Sequence, residues 1–212
     1  MYHLLDEEGK EIYLIGIVKG LVSESNKLNN YIEDIDFEIG ALPISEGELN
    51  GLIELHKKDI ELDIEPSKPE QAYAKNLERF GEVKLPPPSY MELLRYCEEH
   101  DIDIKAIDMD EGHYTMAYCE HVNGKDWILQ AFREKRVNNV KFTSDGPEKF
   151  ALEWDEWINK LKGYKALEDH RERIMVKNLT RFSKRGVILS IIEYERMEGV
   201  VVNFKSKGWQ IS

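Results

Sequence analysis

Two stretches of this chain are apolar almost without interruption: Ile12-Tyr-Leu-Ile-Gly-Ile-Val18 and Val187-Ile-Leu-Ser-Ile-Ile192. A strand with one wet face alternates polar and apolar residues, whereas runs like these suit strands covered on both faces, as in a parallel sheet between helical layers. The segments around them fit that reading. Leu28, Tyr31, Ile32 and Ile35 recur at helical spacing, with Ser23 or Ser25 expected to cap the helix. Phe37 to Leu42 then reads as a second strand stopped by Pro43. Strand, helix and strand in close succession predict a βαβ unit.

The middle of the chain reads as helical. Pro86-Pro87-Pro88 forbids a continuing helix, and Ser89 with Glu92 predicts a capping box for the next one. Its apolar stripe is Tyr90, Leu93, Leu94 and Cys97. Ile104 to Met109 reads as a third strand. A helix over about 146–162 places Trp154 and Trp157 on one face, where core or lid packing accounts for them. The next helix, about 166–184, carries an unusual stripe of Arg171, Ile174, Met175, Asn178 and Phe182. Val200 to Phe204 reads as a final edge strand. The predicted fold is α/β, a largely parallel central sheet flanked by helices with a helical insert in the middle. A single domain over 1–212 is expected, its helical middle region running from about 45 to 165.

Composition excludes several function classes. The chain has 212 residues, with 41 acidic against 29 basic side chains and a formal charge of −12. That length can bury a core without disulfides or metal staples. With 42% hydrophobic and 33% charged residues it is neither a disordered chain nor a membrane protein. No apolar run approaches the roughly 18 residues of a membrane span, and the amino terminus lacks the basic start and apolar stretch of a signal peptide. A pI near 5.1 argues against a nucleic-acid partner, which needs a basic face for phosphates. A cytoplasmic protein with reduced thiols follows, and a homodimer is compatible with it. The Glu, Lys, Arg and Ile usage is compatible with a thermophilic source.

Familiar catalytic signatures are absent: there is no G-x-G-x-x-G, P-loop, G-x-S-x-G or H-E-x-x-H. Cys97 and His100, with His113, Cys119 and His121 following, are residue types that bind zinc. Their spacing matches no structural zinc motif, and Cys97 belongs to an apolar stripe. No metal and no other cofactor are expected. Ligands of open parallel sheets bind beyond the carboxyl ends of the strands. Those ends present Lys19, Glu38, Asp108 with Asp110, and Glu193, Glu195 and Arg196, while the preceding helix can aim Arg171 and Asn178 at the same region.

These landmarks resemble the TraB/PrgY family. Glu11 to Lys19 followed by Ser23-Glu-Ser25 is similar to its opening, a strand ending in Gly-x-x-His, then a loop with Ser and a helix. Phe37-Glu38-Ile39 is similar to a strand carrying a Glu, and Ile107-Asp108 loosely to a later Asp. Arg171-Glu-Arg-Ile-Met175-Val-Lys-Asn178 is similar to the Arg-x-x-x-Met-x-x-Asn helix. The strand into Glu193 and the later Gly199-Val200 are similar to the last landmark. The order agrees from end to end, while about 45–165 agrees only in outline. The family is similar to secreted metalloproteases, in which two histidines and a Glu are the expected metal-linked residues. Here Lys19 and Arg196 stand at the histidine positions, Glu193 stands at a Gly, and Leu42-Pro43 lies where an Arg is expected. Neither Lys nor Arg offers a lone pair to a metal at neutral pH.

Three readings follow. The first is a degenerate, metal-free and non-catalytic TraB-like domain binding a small anionic ligand or a protein partner. In it Lys19, Arg171, Asn178 and Arg196 form a locally cationic pocket that Glu38 orients. The second is a divergent TraB-like hydrolase of peptide or ester substrates, with Glu38, Glu195 and Asp108 as catalytic carboxylates, holding Mg²⁺, Ca²⁺ or Mn²⁺ if any metal, with help from His113. The third is an internal ion-pair network serving stability alone.

Overall fold

The computed structural model describes residues 1–58 and 66–212, so the part of the helical-insert expectation that falls on 59–65 lies outside the described residues. The described strands are β1 (Tyr2–Leu5), β2 (Glu11–Ile17), β3 (Ile39–Leu42), β4 (Asp103–Ala106), β5 (Ile188–Glu193) and β6 (Gln210–Ile211). They form one sheet in the order β4-β3-β5-β2-β1-β6. The four at the β4 side are mutually parallel, with Ile17 opposite Glu193 and Leu42 opposite Ala106. All four therefore end at one edge. β1 runs antiparallel to β2, and β6 antiparallel to β1; neither was legible as a strand in the sequence. Tyr2–Leu5 and Gln210–Ile211 are too short for a periodic signal.

The helices are α1 (Ser23–Ile32), α2 (Glu46–Lys58), α3 (Lys68–Leu77), α4 (Pro88–Glu99), α5 (Glu111–His121), α6 (Gly124–Glu134), α7 (Pro147–Ile158), α8 (Lys162–Phe182) and α9 (Tyr194–Ser206). Side-chain alternation along the strands separates two cores. Ile12, Leu14, Ile39, Ala41, Ile188 and Ile192 pack with Met175, Val176 and Leu179 of α8 and with Val200 and Phe204 of α9. On the other face Ile15, Ile17, Leu42, Leu189 and Ile191 meet α1, α2 and α4 through Leu28, Leu49, Leu52, Leu93 and Cys97. Each Leu or Ile buried this fully is worth about 1.5–3 kcal/mol, against about 0–1 kcal/mol for an exposed ion pair. The two apolar faces, rather than the surface charges, hold the sheet.

Several local expectations need correcting. Val200 to Phe204 is not an edge strand but the centre of α9. Three successive valines favour a strand, yet Met197, Val200, Val201 and Phe204 fall at i, i+3, i+4 and i+7 and are buried together, and that helical face wins. Ser89 does not cap α4. Pro87 is the N-cap, Pro88 opens the helix, and the Ser89 hydroxyl is buried without a partner among the described residues. The fixed φ of proline already pre-sets that first turn, and Glu92 pairs with Arg95 instead. Neither Ser23 nor Ser25 caps α1, whose N-cap is Val22; the Ser25 hydroxyl donates to the Val22 carbonyl at 2.7 Å. The third strand ends at Ala106, and the chain beyond it turns toward α8. Trp154 is buried among Phe142, Phe150 and Tyr73, and Trp157 is half-buried beside it. No described helix is long and apolar enough to cross a membrane.

Candidate functional site

Lys19 lies two residues past the end of β2, in a turn that Gly20 completes with φ +90°, a conformation natural only to glycine. The turn is held from outside: the Val22 amide donates to the Glu82 carbonyl (2.9 Å) and the Lys84 amide to the Gly20 carbonyl (2.9 Å). Lys19 is thus presented over the strand ends. Its Nζ meets the Glu193 carboxylate at 3.2 Å, and the Tyr90 hydroxyl of α4 donates to the same carboxylate at 3.0 Å. Glu193 ends β5 and is also the N-cap of α9. Burial alone would raise its pKa, but the charges of Lys19, Arg171 and Arg196 outweigh burial and hold it below the usual carboxylate range. Lys19 is in turn held more firmly protonated by Glu193.

Arg196, in the first turn of α9, reaches Asp155 of α7 and Glu168 of α8, each at 2.8 Å. Glu168 also accepts from Arg171 at 2.9 Å, and Arg171 grips Asp108 through Nε at 3.0 Å and through a second nitrogen. Asn178, two turns along α8, donates to the Ile107 carbonyl at 2.9 Å. Together Arg171 and Asn178 pin the segment after β4 to α8. The side chains of Asp108, Glu168 and Arg196 are only 7%, 12% and 8% exposed, so these are interior ion pairs, costly to break by removing one partner.

Glu195 differs from all of these. It is half-buried in the first turn of α9, and its Oε2, itself shielded from solvent, has no hydrogen-bond partner among the described residues. Burial, and then the neighbouring Glu193 charge, push its pKa well up, which favours the protonated form able to donate. Glu193 and Glu195 share a cleft of about 210 Å³ with Lys19, whose apolar walls are Tyr73, Val83, Leu85, Trp154 and Ile158.

The carboxyl edge therefore gathers Lys19, Asp108, Arg171, Glu195 and Arg196 of the residues expected from the sequence. Asn178 braces it from α8. Glu38 is not there. It precedes β3 at the amino edge, where its carboxylate accepts from the Val187 amide at 2.6 Å, and so it neither orients Lys19 nor faces Arg171. The expected cationic pocket is also corrected. Three cations, Lys19, Arg171 and Arg196, stand among Asp108, Asp155, Glu168, Glu193 and Glu195, and each is paired. Tyr90, Asp155, Glu168 and Tyr73 were not singled out from the sequence. Only Glu168 carried a signal, at the i−3 position from Arg171 on one helix. Cys97 packs in the core and His100 bonds its own helix at the Tyr96 carbonyl, so they form no ligand pair. Compared with known proteins, the chain matches no family model, and no curated protein matches it.

Proposed function

We propose that the protein is a non-hydrolytic domain of TraB-like type whose cleft at the carboxyl edge of the sheet holds no metal and binds a small molecule. One observation carries this reading. The two positions where the resemblance puts metal-binding histidines hold Lys19 and Arg196, and each is ion-paired to the carboxylates beside it. Internal cations thus occupy the charge role a metal would have, and the carboxylates they pair with, Glu193, Asp155 and Glu168, are engaged rather than free to ligate one. Catalysis through Asp108 has no support, since Arg171 holds that side chain. What remains accessible is Lys19, whose side chain is 43% exposed, beside the Glu195 carboxyl and an aromatic wall. That chemistry suits a short apolar body with an anionic head, such as a small monocarboxylate, the head accepting from Lys19 and from the Glu195 carboxyl.

Titrating hexanoate and benzoate while following tryptophan fluorescence tests the proposal. Saturable quenching is expected, and Lys19→Ala should weaken it at least tenfold while the fold is retained by circular dichroism. Equal binding by Lys19→Ala refutes the site. Peptide or ester cleavage lost on Glu195→Gln refutes the non-hydrolytic reading and favours the carboxylate hydrolase. A protein partner has separate support in α6, whose Trp127, Ile128 and Phe132 are 58%, 50% and 57% exposed. Scattered apolar side chains are ordinary on a surface, but a cluster of this kind marks contact faces. Light scattering of wild type and Trp127→Glu tests whether two copies associate there.

A further inference from the structure

The geometry points to a divalent transition-metal site formed by His121, His170 and Glu120, on a cleft separate from the Lys19 cleft and independent of the reading given for it. His121 ends α5 and His170 lies on α8, 49 positions later, so no local spacing announces the pair. The helices bring His121 Nε2 to 3.0 Å from His170 Nδ1. A Glu120 carboxylate oxygen lies within 4.8 Å of a ring nitrogen of each histidine.

The separation of the nitrogens is the informative quantity. Metal–imidazole bonds of about 2.0–2.1 Å at angles between square and tetrahedral hold two ligand nitrogens roughly 2.9–3.4 Å apart. The observed 3.0 Å falls inside that window. Without a metal, two imidazoles this close must share one N–H between them. A cation removes that demand, because each ring can carry its proton on the remote nitrogen and turn a lone pair to the ion. Glu120 is exposed and can swing to complete the set. Two imidazoles and one carboxylate suit Zn²⁺ and leave a coordination position open. Glu120 and His170 border a cleft of about 540 Å³ lined also by Asp110, His113, Lys177 and Arg181, through which a ligand of the metal would enter.

The test titrates Zn²⁺ into chelator-stripped full-length protein against a chromogenic competitor. One equivalent is expected to bind, with His121→Ala and His170→Ala each weakening it at least tenfold and Glu120→Gln weakening it less. His113→Ala should leave it unchanged. Imidazole ¹⁵N resonances of unmodified protein keep the test clean should an alanine variant unfold: two histidines must shift together at the first equivalent. No saturable binding by the wild type overturns the proposal. So does binding that survives in His121→Ala/His170→Ala, or binding lost only with His113→Ala. If peptide hydrolysis appears with Zn²⁺, its survival in Glu195→Gln would place it here and not at the carboxyl edge.

Discussion

Glu172 offers the sharpest test of how charge is buried in this fold. It sits on α8 with its carboxyl packed against Gly199 of α9, where a Cβ would collide with it. The residue is 9% exposed. Burial raises its pKa to about 7, partly offset by Arg196 and reinforced by Asp169, Glu168 and Asp155. A carboxyl held at about 7 instead of 4.5 costs about 3 kcal/mol to ionise in place, at about 1.4 kcal/mol per pH unit. Residual water access reduces this to about 2 kcal/mol. Between pH 4.5 and pH 7 the folded protein holds a proton that the unfolded chain has released, so stability falls as pH rises through that window and the loss is complete above it. Glu172→Gln keeps the shape against Gly199 and removes the titration. Urea unfolding of both proteins at pH 4.5, 6 and 8 should give a variant more stable by about 2 kcal/mol at pH 8, with a difference that shrinks toward zero at pH 4.5. A difference independent of pH, or one that grows on acidification, would refute the reasoning.

Arg171→Ala should destabilise by about 3–5 kcal/mol in urea, because it strands Asp108 inside the protein and leaves Glu168 to Arg196 alone; a loss under about 1 kcal/mol would mean that water reaches Asp108. Tyr90→Phe deletes one donor to the buried Glu193 carboxylate and should cost about 1–3 kcal/mol, read from the denaturant midpoint. At Gly40 a Cβ would come within 2.5 Å of the Cys97 sulfur, so Gly40→Ala should lower the melting temperature, and Gly40→Ala/Cys97→Ala should recover much of the loss.

The sheet was legible because its central strands carry their own signal. Ile12 to Val18 and Val187 to Ile192 are apolar on both faces, and only a doubly covered position accommodates that. The helical stripe of α8 was legible for the same reason, and it placed Arg171 and Asn178 facing inward before any contact was known. The short antiparallel strands were not, since Tyr2–Leu5 and Gln210–Ile211 owe their state to pairing with each other and with β2. α9 was misread because β-branched valines speak for a strand locally while burial of a helical face decides the outcome. The site was half legible. Residues after β2, β4 and β5 could be placed at one edge from strand order alone. Glu38 was misplaced because a strand start and a strand end look alike when the boundary is off by two residues. Tyr90, Asp155 and Glu168 converge on the site from three different helices, a fact held only in the tertiary arrangement.

β5 passes into α9 with no intervening loop, Glu193 serving as the last residue of one and the cap of the other. The carboxyl edge is therefore mounted on a stiff joint whose strand arm is fully buried and whose helix arm is buried along one face. Amides around 193–197 should exchange with solvent only when the whole molecule opens. A ligand arriving there meets a surface already set, losing little entropy to ordering and having little scope to reshape it. Selectivity at such a joint comes from shape and charge fixed in advance. Altering it by evolution or design means rebuilding the walls contributed by α3 and α7, because the joint itself cannot move without the sheet.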